Sequence, residues 1–344
     1  MTSFSINSVT RQAMWPTSGM LPTWHKVSNT SWPIPCAKPP AAGQHTNTTK
    51  AEWPSNISRY MNPDNTLPPS ETADSSVPPS EPQKPLVTIA TVTYNAAETL
   101  ERTLSSVASQ DYPRIEHLII DGCSTDSTLS VVQQYVAENT RTSHPHHIRL
   151  ISEPDNGLYD AMNKALGNAS GDYLVFLNAG DCLHEVSTIS QVVACADWQK
   201  GDSRNPAILY GETNLVDAEG RFLRHRRLKA PQRLMSRSFL SGMLVCHQSF
   251  YVRTDLARLV PYDLRYRFSA DYDWCIRLMR RAEKRRLEMI NTHLILTDYL
   301  SEGMTTQNHK ASLMERLRIM AHHFGWGRAL LSHAWFVIRA FIKR

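Results

Sequence analysis

Residues 86–95 read LVTIATVTYN, a run of β-branched and apolar residues that ends in a polar Tyr-Asn pair. Such a run predicts a buried strand, and the asparagine is suited to begin a following helix. Similar buried strands are predicted at 115–120, 148–151 and 173–177. Helical periodicity lies between these strands, at about 100–107, 127–138 and 158–166. This alternation predicts an α/β fold with a Rossmann-like, mostly parallel sheet that is flanked by helices.

On the N-terminal side of this strand, the composition changes at Leu86. Fourteen of the 20 prolines precede that residue, in a stretch rich in Ser, Thr and Asn. Few periodic apolar runs occur there, so burial cannot offset an ordering entropy of about 1–2 kcal/mol per residue. We therefore predict a disordered tail over residues 1–85, a globular domain over 86–303 and a helical C-terminal extension over 304–344.

Charge, cysteines and apolar runs exclude several classes of protein. The net charge of +5 over 344 residues is mild, so no nucleic-acid partner is predicted. The six cysteines have no C-x-x-C pair, which indicates neither a zinc site nor a disulfide framework and makes a reducing compartment the default. No apolar stretch reaches the roughly 18 residues of a transmembrane helix, and no secretory signal is present. We expect a cytoplasmic protein.

Polar residues follow each of the four predicted strands directly: Asn95, Asp121, the loop at 155–160, and Asp181. Because parallel strands end at one edge of the sheet, these loops are expected to converge there. An aspartate in a loop is often only a turn former, but four polar loops at one edge favour a ligand site. No dinucleotide-binding, P-loop or G-x-S-x-G motif is present. Oxygen-rich side chains suit a diphosphate that is bridged by Mg²⁺ or Mn²⁺.

A series of short motifs lies in order along the chain, at 87–95, 119–128, 152–164, 176–181, 209–212, 246–248 and 269–274. The third, SEPDNGLYDAMNK, is the most specific. Together they resemble family 2 glycosyltransferases of the GT-A fold, and the third is close to the colanic-acid and exopolysaccharide type. The resemblance covers about residues 85–300. It implies transfer of a sugar from a nucleotide-sugar donor to a glycan or polyprenyl-linked acceptor, in exopolysaccharide or other cell-envelope polysaccharide synthesis.

The resemblance also implies a donor site built from the loops described above. Asp121 would bind the base of the nucleotide, and Asp155, Asp160 and Lys164 would approach the ribose and diphosphate. The donor-binding residues implied are Val92, Tyr94, Asn95, Asp121, Asp155, Asp160, Lys164 and Asn178. Two structural alternatives stay open at this point. Asp121 also suits a turn cap, and Asp160 and Lys164 have the i,i+4 spacing of a helical salt bridge.

The metal motif of the family, D-x-D, corresponds here to Asn178-Ala179-Gly180-Asp181. By this resemblance Asp181 is the principal protein ligand of Mn²⁺ or Mg²⁺. Gly180 stands where a first carboxylate is common. With one carboxylate, the ion must take more of its shell from phosphate and water, so we expect weak metal binding in the absence of nucleotide.

An inverting transferase needs a base for the acceptor hydroxyl, and the resemblance assigns this role to Asp271. A helix is predicted to start there, and a helix N-terminus stabilises a negative charge, which is equally a structural explanation for Asp271 and Asp273. The resemblance places His247, Gln248 and Asp273 near the acceptor or the pyrophosphate. Ala270 replaces a usual acid. Together with Gly180, this leaves an alternative open: a non-catalytic sugar-nucleotide-binding subunit that partners another transferase.

The C-terminus is the one markedly basic region, with seven Lys/Arg and one acid from Lys310 onward. Helices are predicted at about 307–324 and 326–342, and the second has basic ends and an apolar stripe formed by Leu330, Leu331, Ala334, Trp335, Ile338, Phe341 and Ile342. Such a helix suits the headgroup layer of an anionic membrane, which would place the protein peripherally at the inner face of the membrane. The alternatives are packing on the globular domain or on a second copy, as a homodimer.

Overall fold

The computed structural model describes residues 84–301 and 309–342. The tail predicted for residues 1–85 lies outside them, apart from Lys84 and Pro85. The described strands are β1 (Val87–Thr93), β2 (Ile115–Asp121), β3 (His147–Ser152), β4 (Tyr173–Phe176), β5 (Cys182–Leu183), β6 (Ile208–Val216), β7 (Phe222–His225), β8 (Phe250–Arg253) and β9 (Met289–Leu300). The described helices are α1 (Ala97–Ala108), α2 (Thr128–Asn139), α3 (Leu158–Asn168), α4 (Thr188–Ala194), α5 (Thr254–Ala257), α6 (Ala270–Arg285), α7 (His309–Phe324) and α8 (Trp326–Ile342).

These strands form one sheet in the order β3-β2-β1-β4-β8-β6-β9-β5, with β7 paired to β6. The half made of β3, β2, β1 and β4 is parallel, as predicted, and β6 and β9 also pair in parallel. β8 runs antiparallel to both β4 and β6 and joins the two parallel parts. The α/β prediction is confirmed, with a mixed second half that the sequence pattern did not specify.

Both faces of β1 are buried, which explains why its sequence is apolar or β-branched throughout. Val87 and Ile89 point to the face that is covered by α1 and α4, whereas Ala90 and Val92 point to the face that is covered by α3 and α6. Successive side chains of a strand alternate between faces, so the seven-residue run contributes to two hydrophobic cores. Its carboxyl end is thereby held between two layers of helices.

Helix α7 packs on the α6 side of the sheet. Its residues Ile319 and Met320 are fully buried in the same core as α6. The Ser312 and Ser269 hydroxyls lie 2.9 Å apart, and the Glu315 carboxylate accepts the backbone N–H groups of the two residues before Ser269, at 2.9 and 2.8 Å. These contacts fasten the start of α6 to the C-terminal part of the chain.

Among the described cysteines, Cys123 is disulfide-bonded, whereas Cys182, Cys195, Cys246 and Cys275 are free thiols. The irregular spacing of the cysteines gave no sign of this bond.

Candidate active site

The loops that follow β1, β2 and β3 meet at Gly122. A side chain there would collide with the Asp155 carboxylate, and its Cβ would lie 3.3 Å from the Tyr94 ring. Asn95 has a left-handed φ of +48°, and its side-chain oxygen accepts the backbone N–H of Thr125 at 2.8 Å. Asparagine tolerates that conformation better than most residues. These contacts bring Tyr94, Asn95 and Asp155 to the same edge of the sheet.

Asp121 lies beneath this edge and is fully buried. Its carboxylate accepts the backbone N–H of Ser124 at 3.0 Å, the Ser124 hydroxyl, and the Ser152 hydroxyl at 2.7 Å. The turn-cap alternative therefore describes the contacts that Asp121 makes in this structure. Binding of a nucleotide base by Asp121 stays a prediction, since three of the roughly four acceptor sites of its carboxylate are used within the protein.

Asp160 and Lys164 do not form the i,i+4 salt bridge that their spacing allowed. Asp160 accepts the backbone N–H of Asn156 at 2.9 Å, and the Lys164 ammonium pairs with Glu153 at 3.0 Å. Lys164 also donates to the carbonyl of Pro154. Both side chains thus hold the loop between β3 and α3, in which Asp155 lies. Their approach to a ribose or diphosphate stays a prediction.

Val92 and Tyr94 differ in what they offer to a donor. The Val92 side chain is buried in the core beneath α3, so only its backbone faces any ligand at the edge of the sheet. The Tyr94 ring is exposed beside Gly122. An exposed aromatic ring suits stacking on a flat base.

Asp181, the predicted metal ligand, is buried, and both of its carboxylate oxygens are hydrogen-bonded. Oδ1 accepts the backbone N–H of Leu300 at 3.0 Å, and Oδ2 accepts the Gln248 side-chain amide at 2.9 Å. Burial raises the pKa of Asp181 to about 6, although these two hydrogen bonds oppose the change. A cation that reached this carboxylate would offset the cost of its burial.

Among the described residues, Asp181 is the one carboxylate at this position that could bind a divalent ion. Gly180 has a φ of +98°, and a Cβ there would lie 2.8 Å from the Leu300 side chain, so a second carboxylate at position 180 would be strained and crowded. Among residues 84–301 and 309–342, no group of three or more His, Cys, Asp or Glu side chains could hold a metal ion. An ion at Asp181 would therefore depend on the oxygens of a bound diphosphate.

Asp271, the predicted base, lies in the first turn of α6. Its Oδ2 lies 3.3 Å from Nδ1 of His247, and its Oδ1 accepts the hydroxyl of Tyr159 at 3.1 Å. Burial alone would raise the pKa of Asp271, but the hydrogen bond and charge of His247 and the charge of Arg316 hold it below the usual range. The carboxylate is therefore ionised at neutral pH and able to accept a proton.

A 3₁₀ turn at His247–Ser249 joins the two aspartates. Gln248 reaches Asp181, whereas its neighbour His247 reaches Asp271. The His247 ring also lies 3.4 Å from the Asn178 amide, and the buried side-chain oxygen of Asn178 has no hydrogen-bond partner among the described residues. The structure thus brings Asn178, Asp181, His247, Gln248 and Asp271 into one group, although the sequence assigned the turn only to a general vicinity.

Asp273, predicted near the acceptor or the pyrophosphate, does not join this group. It is buried and pairs with Arg277 at 2.6 Å and with His323 of α7 at 2.7 Å. Two residues along a helix turn a side chain by about 200°, so Asp271 and Asp273 face different neighbours. The contacts of Asp273 are those of a residue that holds α6 against α7.

Three residues at the site had no predicted role. Tyr159 lies in the most specific motif, and its ring stacks on Tyr262 with 5.5 Å between centroids, which fixes its hydroxyl toward Asp271. Arg316 of α7 contributes positive charge near Asp271, and Leu300 contributes its backbone N–H to Asp181. Only Tyr159 carried a signal, since it lies one residue from a predicted site residue. The other two come from distant elements.

Comparison with known proteins adds a family and a fold. The family model described as Glycosyl transferase family 2 matches residues 88–257. The chain is 28% identical over 263 residues to an uncharacterized glycosyltransferase of Mycobacterium tuberculosis strain CDC 1551, covering 75% of this chain and 92% of that one. It is 31% identical over 194 residues to a PGL/p-HBAD biosynthesis glycosyltransferase of Mycobacterium bovis strain BCG, covering 56% and 69%.

Among solved structures, residues 1–349 of S. aureus TarS in complex with UDP-GlcNAc are similar to this chain. The TM-score is 0.52 at 16% identity, over 74% of this chain and 72% of the other. At that identity the likeness concerns the fold.

Proposed function

Because the chain belongs to glycosyltransferase family 2, we propose that it transfers a sugar from a nucleoside-diphosphate sugar to a glycan or polyprenyl-linked acceptor, with inversion at the anomeric carbon. The observation that carries this proposal is the pairing of Asp271 with His247, next to the Gln248–Asp181 contact. The 3₁₀ turn at His247–Ser249 thus contacts both the candidate base, Asp271, and the residue proposed to lie at the diphosphate, Asp181. Synthesis of exopolysaccharide or another cell-envelope polysaccharide is the proposed setting.

In the proposed reaction, Asp271 takes the proton of the acceptor hydroxyl as the hydroxyl oxygen attacks the anomeric carbon. The bond from that carbon to the diphosphate breaks, and the nucleoside diphosphate leaves with the electron pair. Tyr159 and His247 each hold one oxygen of Asp271, so the carboxylate has a fixed direction before the acceptor arrives. His247 also keeps the carboxylate ionised.

The donor is proposed to bind across the loops at the carboxyl edge. The exposed Tyr94 ring and Asn95 would contact the nucleoside, with Asp121 turned toward the base, and Asp155, Asp160 and Lys164 would lie toward the ribose and diphosphate. Asp181 would hold Mg²⁺ or Mn²⁺ jointly with the diphosphate. When bound, such an ion neutralises charge on the leaving diphosphate.

Because Asp181 is the one carboxylate proposed to hold the metal ion, we predict that the nucleotide must be present before the ion binds. We expect titration calorimetry to detect no Mn²⁺ binding to the protein alone, because Asp181 offers too few ligands. After a nucleoside diphosphate is added, Mn²⁺ should bind through phosphate and Asp181 together. Mn²⁺ binding to the nucleotide alone is the necessary blank. Tight Mn²⁺ binding to the nucleotide-free protein would contradict this account.

The proposed function is tested by incubating the protein with common nucleotide sugars, one at a time, and measuring the released nucleoside diphosphate. One donor should give release well above that of an Asp271→Asn sample purified in parallel. The paired variant excludes release by a contaminating enzyme, since contaminants are unaffected by the substitution.

A second function is supported by Gly180 and Ala270, which replace acids that are usual in the family. It is a sugar-nucleotide-binding subunit without catalysis, acting beside another transferase. If no donor gives released nucleoside diphosphate while calorimetry shows nucleotide binding, this second function would be favoured. The retained Asp121, Asp181 and Asp271, and the ordered contacts of the last two, favour the enzyme.

A further inference from the structure

We propose that α8 and the basic segment at 224–237 form one surface that binds an anionic lipid bilayer peripherally. This proposal concerns a partner of the protein and does not depend on its catalytic activity. Among the described residues, no helix is long and apolar enough to cross a membrane. The contact would therefore be made along the surface of α8.

One face of α8 is apolar and exposed. The exposed fractions of its large side chains are 61% for Trp326, 54% for Leu330, 74% for Leu331, 56% for Trp335 and 49% for Ile338. Five large apolar side chains on one helix, two of them tryptophans, are far from the scattered exposure that is normal for a surface. Tryptophan is enriched where an apolar layer meets water, as at the headgroups of a bilayer.

The opposite face of α8 is fastened to the domain. Ala329 is fully buried, and Phe336 packs against the core that contains α6. Gly242 lies between Phe336 and Leu228, since a Cβ on Gly242 would be 3.9 Å from the first and 3.1 Å from the second. The exposure of Trp326 and Leu331 is therefore a property of a docked helix whose orientation is fixed by packing.

The same contacts bring a basic segment beside α8. Arg227 and Lys229 flank Leu228, and Arg237 belongs to a second 3₁₀ turn, Ser236–Ser241, which packs on α8. All three basic side chains are exposed. The Arg226 guanidinium donates to the carbonyls of Met243 and Leu244, at 2.6 and 3.1 Å, and so holds the segment in place. Neither residues 220–254 nor residues 316–344 contain an Asp or Glu.

This distribution of charge favours a bilayer over a second copy of the chain. In a symmetric dimer the same surface lies on both sides of the interface, so Arg227, Lys229, Arg237 and Arg328 would face a partner surface that is also basic. Like charges brought together in that way oppose association. Anionic headgroups satisfy the basic residues, while the exposed apolar side chains enter the layer beneath them.

The test is flotation of the full chain with vesicles of phosphatidylcholine alone or with 30% phosphatidylglycerol. The protein should float with the anionic vesicles only, and less in 0.5 M than in 0.05 M NaCl, because salt screens the contact. Arg227→Ser/Lys229→Ser/Arg237→Ser should weaken binding about 100-fold, since each basic residue contributes a factor of about 5. Leu331→Glu/Trp335→Glu should weaken it at least about tenfold.

Val186→Glu is the matched control, because Val186 is 55% exposed but adjoins α4 on the other face of the sheet. It should float like the unchanged protein. Thermal melts of every variant verify folding, which is expected because the changed side chains are exposed. Equal binding to neutral vesicles, or binding that neither variant reduces, would overturn the proposal. So would a dimer in sedimentation that Leu331→Glu/Trp335→Glu dissociates, since the surface would then be an interface between copies.

Discussion

We expect Asp271→Asn to lower sugar transfer by about a thousandfold, which is the scale of a positioned general base. The amide fills the same space and can still accept the Tyr159 hydroxyl, but it cannot take the proton of the acceptor. Donor binding is proposed to lie with other loops, so the dissociation constant for a nucleoside diphosphate should stay within about twofold. Single-turnover transfer and calorimetry on the same sample separate the two quantities.

Asp273→Asn is the matched control for this prediction. The two aspartates lie on the same helix turn, but Asp273 pairs with Arg277 and His323 instead of facing His247. Its replacement leaves the buried His323 side chain and the partly buried Arg277 without their counter-charge and should destabilise the fold by on the order of 3 kcal/mol. Below its melting temperature this variant should keep most of its activity. Transfer above about a tenth in Asp271→Asn, with loss in Asp273→Asn, would reverse the two assignments.

Asp181→Asn should lower sugar transfer at least about a hundredfold. It should also remove the loss of folding stability that the buried Asp181 carboxylate causes as the pH rises. Changes outside the ligand shell of a metal already cost 10–100-fold, and Asp181 is proposed as a ligand itself. The pKa of Asp181 is raised by burial from 3.8 to about 6, which corresponds to about 3 kcal/mol. The folded chain holds this proton more tightly than the unfolded chain, so the contribution of Asp181 to stability falls as pH rises through this range.

Urea unfolding of the unchanged protein and of Asp181→Asn, at pH 5 and at pH 8, measures how much Asp181 contributes to the pH dependence of stability. Relative to the unchanged protein, the free energy of unfolding of Asp181→Asn should rise by about 1.5 kcal/mol from pH 5 to pH 8. This is about half of the roughly 3 kcal/mol that corresponds to the whole pKa shift. The constant cost of placing an amide against the Leu300 and Gln248 donors cancels in this difference. Asp273→Asn should show no such gain. Burial would raise the pKa of Asp273, but His323 and Arg277 hold it below its usual value, so the carboxyl group affects the pH dependence of stability only below about pH 4. A gain absent from Asp181→Asn would mean that the carboxylate is solvated.

The sequence predicted the four parallel strands and the polar loops at their ends, because both are recorded in local patterns. Because β1 is apolar or β-branched throughout, both of its faces must be covered, and a chain of buried strands and amphipathic helices satisfies that requirement in few ways. The antiparallel pairing of β8 was not predicted, since pairing between distant segments has no local signal. The roles of Asp160 and Lys164 show the same limit, because the actual partners are Asn156 and Glu153.

By itself, then, the sequence determined the fold class and which residue types stand at the carboxyl edge. It did so because the period of a strand and the chemistry of a loop are set by neighbours along the chain. Only the tertiary structure gave Asp271 and Asp273 different partners, joined His247 and Gln248 to two different aspartates, and placed Leu228 beside α8. Those outcomes depend on packing between elements far apart in sequence, which local patterns do not encode.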